Sequence, residues 1–143
     1  HPVKEILWIY QHTDVNLTND WINYSNTLDN DQALAEQVEP FDKIEMKLNG
    51  TDRFDQRSAA YFRLVQPYQR HSAISDKYIN CYSFSIEPEK YQPSGTINFS
   101  RIDSSTLVVQ MANNIKHGEI RLYAINYNIL KIKSGMAGLL YSG

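Results

Sequence analysis

Turn chemistry interrupts this chain wherever an apolar run has become long enough for a strand, and no run keeps a helical apolar period for long. The sharpest case is Ile44-Glu45-Met46-Lys47-Leu48, which alternates apolar and charged residues with period two and stops at Asn49-Gly50. Asn and Gly tolerate the positive φ that a two-residue hairpin demands at both positions, so Asn49 and Gly50 are assigned as turn-defining. Pro93-Ser94-Gly95 marks a second turn. There Pro93 fixes φ and Gly95 accepts a value that other residues avoid.

Between these marks lie β-prone runs. Val3 to Gln11 is apolar on both alternating faces, with Leu7 and Ile9 on one and Ile6, Trp8 and Tyr10 on the other. That pattern suits a strand covered on both sides. Tyr61 to Gln66, Tyr78 to Ile86, Thr96 to Phe99 and the set Leu107, Val109, Met111 read as further strands. Ile120 to Lys133 would reach about 45 Å if straight, so a bend is expected near Asn126–Asn128. The tail from Ser134 to Tyr141, small and apolar, is expected to dock on the body. Residues 12–40 form a long polar excursion, with a short strand expected at Trp21–Tyr24 and a helical turn or two at Ala33–Val38. The sum is about eight strands and no long amphipathic helix, which predicts an all-β, eight-stranded jelly-roll sandwich.

Bulk properties narrow the function. Fourteen Lys+Arg against sixteen Asp+Glu give a net charge of -2, with no Lys/Arg run, so no direct nucleic-acid partner is expected. The 42% hydrophobic content suits a folded domain. Cys81 is the single cysteine, which excludes an internal disulfide, and its place in a strand predicts an inert packed thiol. No apolar stretch approaches the ~20 residues of a membrane helix, and no secretory leader is evident. The chain opens at His1-Pro2 rather than Met, which suits a processed product or part of something longer.

Catalytic constellations are missing from the sequence. The histidines at 1, 12, 71 and 117 show no ligand spacing. No nucleophile elbow, phosphate loop or dinucleotide fingerprint occurs. Glu87 and Glu89 flank Pro88 and read as solvated carboxylates rather than a glycosidase pair. No catalytic residue, metal ligand or cofactor is therefore assigned. Arg101 and Asp103, two apart on an extended segment, are candidates for an ion pair, either clamping their own loop or bridging subunits. Asp52 and Arg53, just beyond the Asn49-Gly50 turn, carry the same two readings. Four Asn-x-Ser/Thr triplets occur; Asn16 and Asn23 are the candidate glycosylation acceptors, since Asn49 lies in a tight turn and Asn98 in a strand.

Several blocks carry a family resemblance. Tyr91-Gln92-Pro93-Ser94-Gly95-Thr96-Ile97-Asn98-Phe99-Ser100-Arg101-Ile102-Asp103 is the strongest. His1-Pro2-Val3-Lys4-Glu5-Ile6-Leu7-Trp8, Asn19 to Ser25, Leu48-Asn49-Gly50-Thr51-Asp52-Arg53-Phe54, Gln66-Pro67-Tyr68-Gln69 and Tyr123-Ala124-Ile125-Asn126-Tyr127-Asn128-Ile129-Leu130 fall in the matching order. Together they resemble the major capsid proteins of nucleocytoplasmic large DNA viruses, double jelly rolls that trimerise into pseudo-hexagonal capsomers of an icosahedral shell. The resemblance implies that residues 1–143 are the C-terminal jelly roll, with the N-terminal one absent from this chain. It further implies a homotrimer in the virion, contacts with neighbouring capsomers and minor capsid proteins, proximity to an internal viral membrane, and assembly in the host cytoplasm. Two rivals remain at this point: a lectin-like module using loop aromatics such as Trp21, and a cupin-like metalloenzyme.

Overall fold

A computed structural model of the protein describes residues 1–27, 38–113, 115 and 117–141. Nine strands are found among them: β1 (Pro2–His12), β2 (Phe41–Leu48), β3 (Thr51–Ser58), β4 (Asn80–Ser83), β5 (Ile97–Asn98), β6 (Ser105–Met111), β7 (Gly118–Asn126), β8 (Leu130–Lys133) and β9 (Met136–Leu139). Two short helices accompany them, α1 (Val15–Thr18) and α2 (Gln66–Arg70), the second preceded by a π-helical turn at Tyr61–Val65.

β1 organises the first sheet. It pairs antiparallel with β7 from Val3↔Asn126 to His12↔Gly118. Its opposite edge is shared by β4, at Glu5 to Trp8, and β5, at Pro2 and Val3. The second sheet runs β3-β2-β6. The β2–β3 hairpin turns at Asn49 (φ 50) and Gly50 (φ 76), the paired positive φ values that the Asn-Gly signal called for. Val3, Ile6, Trp8 and Tyr10 from β1 meet Phe41, Ile44 and Met46 from β2 and Phe54 from β3 in one core. Burying each such side chain contributes roughly 1.5–3 kcal/mol.

The long Ile120–Lys133 run breaks after Asn126, so the expected bend separates β7 from β8. Four local expectations fail. Tyr61–Gln66 is helical, because Tyr61, Phe62, Leu64 and Val65 repeat at helical spacing and Pro67 is accepted in the first turn of α2. Tyr78–Ile86 pairs only over β4; beyond it the Ser83 hydroxyl takes the Ser85 N–H and donates to the Ser85 carbonyl, which curls the chain away. Trp21–Tyr24 forms no strand: Trp21 and Ile22 lie in a turn, and Asn23 and Tyr24 are irregular. The tail pairs with β8 as the exposed strand β9 rather than docking on the body. Residues 33–37 of the expected helical turn lie outside the described residues.

Candidate functional site

The arrangement nearest to catalytic geometry joins three residues that sequence spacing could not connect. The β1–β4 register sets Glu5 opposite Ser83 and Leu7 opposite Cys81. The residue following α2, His71, then places Nε2 2.8 Å from Glu5 Oε2 and Nδ1 3.8 Å from Cys81 Sγ. A Cys, a His and a carboxylate in line suggest a nucleophile, but the electrostatics run the other way. Burial, then the Glu5 charge, pushes the thiol pKa up to about 12. Cys81 is 2% exposed, so a thiolate is neither formed nor reachable. The cluster ties the segment after α2 to β1 instead.

That tie is pH-dependent. The hydrogen bond to Glu5 raises the pKa of His71 above 6.5, burial opposes it, and the Glu5 and Glu89 charges add to it while Lys4 subtracts. A group whose folded pKa is raised stabilises fully below its unfolded value and loses that contribution as pH rises through the folded one. Thermal melts should therefore show stability falling from pH 6 toward pH 8, and His71→Gln should flatten that part of the profile. An unchanged slope in the variant would remove His71 as the cause.

The ion-pair candidates separate. Among the described residues no ion pair joins Arg101 to Asp103. Arg101 ends a 3-10 turn, Phe99–Arg101, and both residues are exposed. What holds this loop is Asn49: its side-chain oxygen accepts the N–H groups of Asp103 (3.0 Å) and Ser104 (3.1 Å), and its own N–H reaches the Ser104 carbonyl at 2.8 Å. Asp52 faces Lys47 across the hairpin at 3.8 Å rather than Arg53. The Arg53 guanidinium lies over Tyr82 and Phe84, at 5.9 and 5.8 Å from the ring centroids.

The Pro93–Gly95 turn is clamped onto the chain after β4. The Ser94 hydroxyl accepts the Glu87 N–H at 2.9 Å and meets the Ser85 hydroxyl at 2.6 Å. Gly95 sits at φ 137, where a Cβ would lie 2.7 Å from the Phe84 carbonyl oxygen. Of the acceptor candidates, Asn16 is exposed on α1. Asn23 is corrected: it is buried, and its amide donates to Asp20 and Thr27 while accepting from Ser25, which leaves no accessible nitrogen for a glycan.

No group of three or more His, Cys, Asp or Glu among the described residues could hold a metal ion. A groove of about 510 Å³ beside β2 contains the Arg63–Glu39 ion pair (2.5 Å), whose burial raises the Glu39 pKa against the pull of Arg63. The broader feature is apolar surface. Ile120, Leu122 and Tyr123 on β7, Leu130 and Ile132 on β8, and Met136 and Leu139 on β9 are all exposed. Exposed apolar side chains thus concentrate on the last three strands.

Comparison with known proteins identifies the family. Residues 1–138 match the family described as large eukaryotic DNA virus major capsid protein. The chain is 54% identical over 101 residues to the major capsid protein of Phaeocystis pouchetii virus, covering 68% of this chain and 19% of that protein. It is 34% identical to the major capsid protein of Pyramimonas orientalis virus over 99% of this chain and 37% of the relative. A subunit of the PBCV-1 virus capsid superposes on the entire chain with a TM-score of 0.80 at 28% identity, using 44% of its own length. The Faustovirus major capsid protein, at 17% identity and TM-score 0.65, shares the fold. This chain thus spans less than half the length of each of these proteins. The all-β jelly-roll class is the architecture of these shell proteins, and neither the lectin-like nor the cupin-like reading gains support from them. The chain belongs to the major capsid protein family of the large eukaryotic DNA viruses.

Proposed function

We propose that this chain is a shell-building part of a virion, the C-terminal jelly roll of a double jelly-roll subunit that trimerises into pseudo-hexagonal capsomers of an icosahedral capsid. The observation that carries the reading is the correspondence of the whole chain to a subunit within the PBCV-1 capsid. Exposed apolar strands β7 to β9 supply surface for subunit contacts, and symmetric assembly multiplies modest contacts into a stable lattice. Arg101 and Asp103, exposed and unpaired with each other, suit the intersubunit half of their two readings. Neighbouring capsomers and minor capsid proteins are the partners, near an internal viral membrane, with assembly in the host cytoplasm.

Sedimentation of the longer capsid polypeptide, expressed with its folding chaperone, should give a trimer. A protein that stays monomeric at high concentration would defeat the reading. Arg101→Glu is expected to weaken assembly at least several-fold while leaving the melting temperature of the subunit within a degree or two, as for other exposed substitutions.

A further inference from the structure

Asn49-Gly50 carries a chemistry that its role in the turn leaves unused. Glycine is the most permissive neighbour for deamidation of an asparagine, because it has no Cβ to shield its own nitrogen. In that reaction the Gly50 nitrogen gives its proton to solvent base and attacks Asn49 Cγ. The N–Cγ bond forms, the Cγ–Nδ2 bond breaks, and ammonia leaves with a proton from solvent. Water then opens the imide ring. Attack at Cγ yields aspartate, and attack at the former backbone carbonyl yields isoaspartate. Water is the sole co-reactant, and nothing is oxidised or reduced.

Steric cover does not withhold this reaction. Asn49 and Gly50 are both exposed, and nothing lies within 4 Å of the point a Gly50 Cβ would occupy. Hydrogen bonds withhold it. The Asn49 side-chain oxygen accepts the N–H groups of Asp103 and Ser104 at 3.0 and 3.1 Å, and its backbone N–H donates to the Ser104 carbonyl at 2.8 Å. The imide ring is planar, so Cβ and the Gly50 nitrogen must eclipse about the Cα–C bond of Asn49. The φ values of 50 and 76 are those of a type I′ turn. Its first ψ lies near about +30°, which turns that nitrogen away from Cβ. Ring closure must therefore rotate the Asn49 backbone and pull its side chain off both amides.

We propose that Asn49 is a deamidation site gated by the 103–104 loop, shut while both amides hold its side-chain oxygen and reactive once the loop releases. The two products act in opposite directions. Aspartate keeps an oxygen for both amides, and its charge strengthens those bonds. Isoaspartate routes the main chain through Cβ and Cγ, which lengthens the turn and spoils the two-residue loop that sets the β2–β3 register. A subunit that forms isoaspartate while open cannot close again. The inference rests on the hairpin and its clamp and not on capsomer formation.

Trypsin cuts after Lys47 and Arg53, so one fragment, residues 48–53, isolates the site. The longer capsid polypeptide, folded, is aged at pH 8 beside a synthetic peptide of residues 48–53, and the mass and isoaspartate content of the fragment are followed. The folded protein should convert about ten-fold or more slower than the peptide, as for a site that reacts only through local opening. An equal or faster rate overturns the proposal. Urea well below the unfolding midpoint should speed conversion with a shallower denaturant dependence than global unfolding, because only the loop opens. Acceleration with the full unfolding slope would put the gate in the whole domain and overturn it. Ser104→Pro removes one of the two amide donors and should speed conversion at least several-fold. A folded Ser104→Pro protein that converts at the parental rate overturns the loop as the gate. Should that variant fail to fold, the urea series decides.

Discussion

Replacing Phe62 with alanine is expected to destabilise the fold by about 3–5 kcal/mol, the range for removing a fully buried aromatic ring. Phe62 lies between the sheets, 5.3 Å from Trp8 on β1 and 4.9 Å from Phe54 on β3, with Tyr61 edge-on at 5.0 Å. No neighbour can swing into the space, since Trp8 is itself fully buried and Phe54 nearly so. The cost therefore includes the cavity left behind as well as the lost transfer energy. Urea unfolding should show the midpoint falling without a change in slope. Tyr68→Ala, at a position 78% exposed on α2, serves as the control and should stay within about 0.5 kcal/mol of the parent. A loss at Phe62 as small as that at Tyr68 would mean that the two sheets do not close on this ring.

The second large effect is expected at Gly95. An alanine there meets two penalties at once. Its φ of 137 lies in a region that L side chains rarely adopt, which costs about 1–3 kcal/mol. Its Cβ would sit 2.7 Å from the Phe84 carbonyl oxygen and 3.3 Å from the Ser85 Cα, both backbone atoms that cannot rotate aside. A backbone shift to relieve the contact would pull Ser94 off Ser85 and Glu87. The combined loss should be about 2–5 kcal/mol, read as a fall in melting temperature of several degrees. Gly50→Ala makes the informative comparison. Gly50 also has positive φ, but nothing lies within 4 Å of the added carbon, so the strain acts there alone and the loss should be smaller.

These two positions also mark what the sequence could and could not convey. The Asn49-Gly50 and Pro93-Gly95 turns were legible because their chemistry is local: a residue type fixes a φ, and the φ fixes the chain direction. The faces of β1 and β6 were legible for the same reason, as period two survives in Leu107, Val109 and Met111. Phe62 was misassigned to a strand because a short apolar run does not distinguish helix from strand without its surroundings. The role of Asn49 as the clamp of the 103–104 loop was hidden for a different cause. Its partners lie 54 and 55 residues away, and only the β2–β6 pairing brings them together. The Glu5–His71–Cys81 cluster is likewise a product of strand register, with no spacing signal to announce it. Arg101 and Asp103 drew attention as charges two apart, whereas the neighbouring amide did the holding.

The pairing of β1 with β7 has a consequence for how the protein is made. Trp8 finds its partner at Leu122, and the Thr13 hydroxyl reaches the His117 carbonyl across 104 residues. The central strand of the first sheet thus leaves the ribosome well before β7, the strand that fills its long edge. Non-local pairings of this kind close slowly, because the loop entropy must be met before the contacts form. Throughout that interval Ile6, Trp8, Ile9 and Tyr10 form an apolar ribbon exposed to other nascent copies. A holdase that recognises residues 2–12 should therefore raise soluble yield more than one that acts on the finished domain.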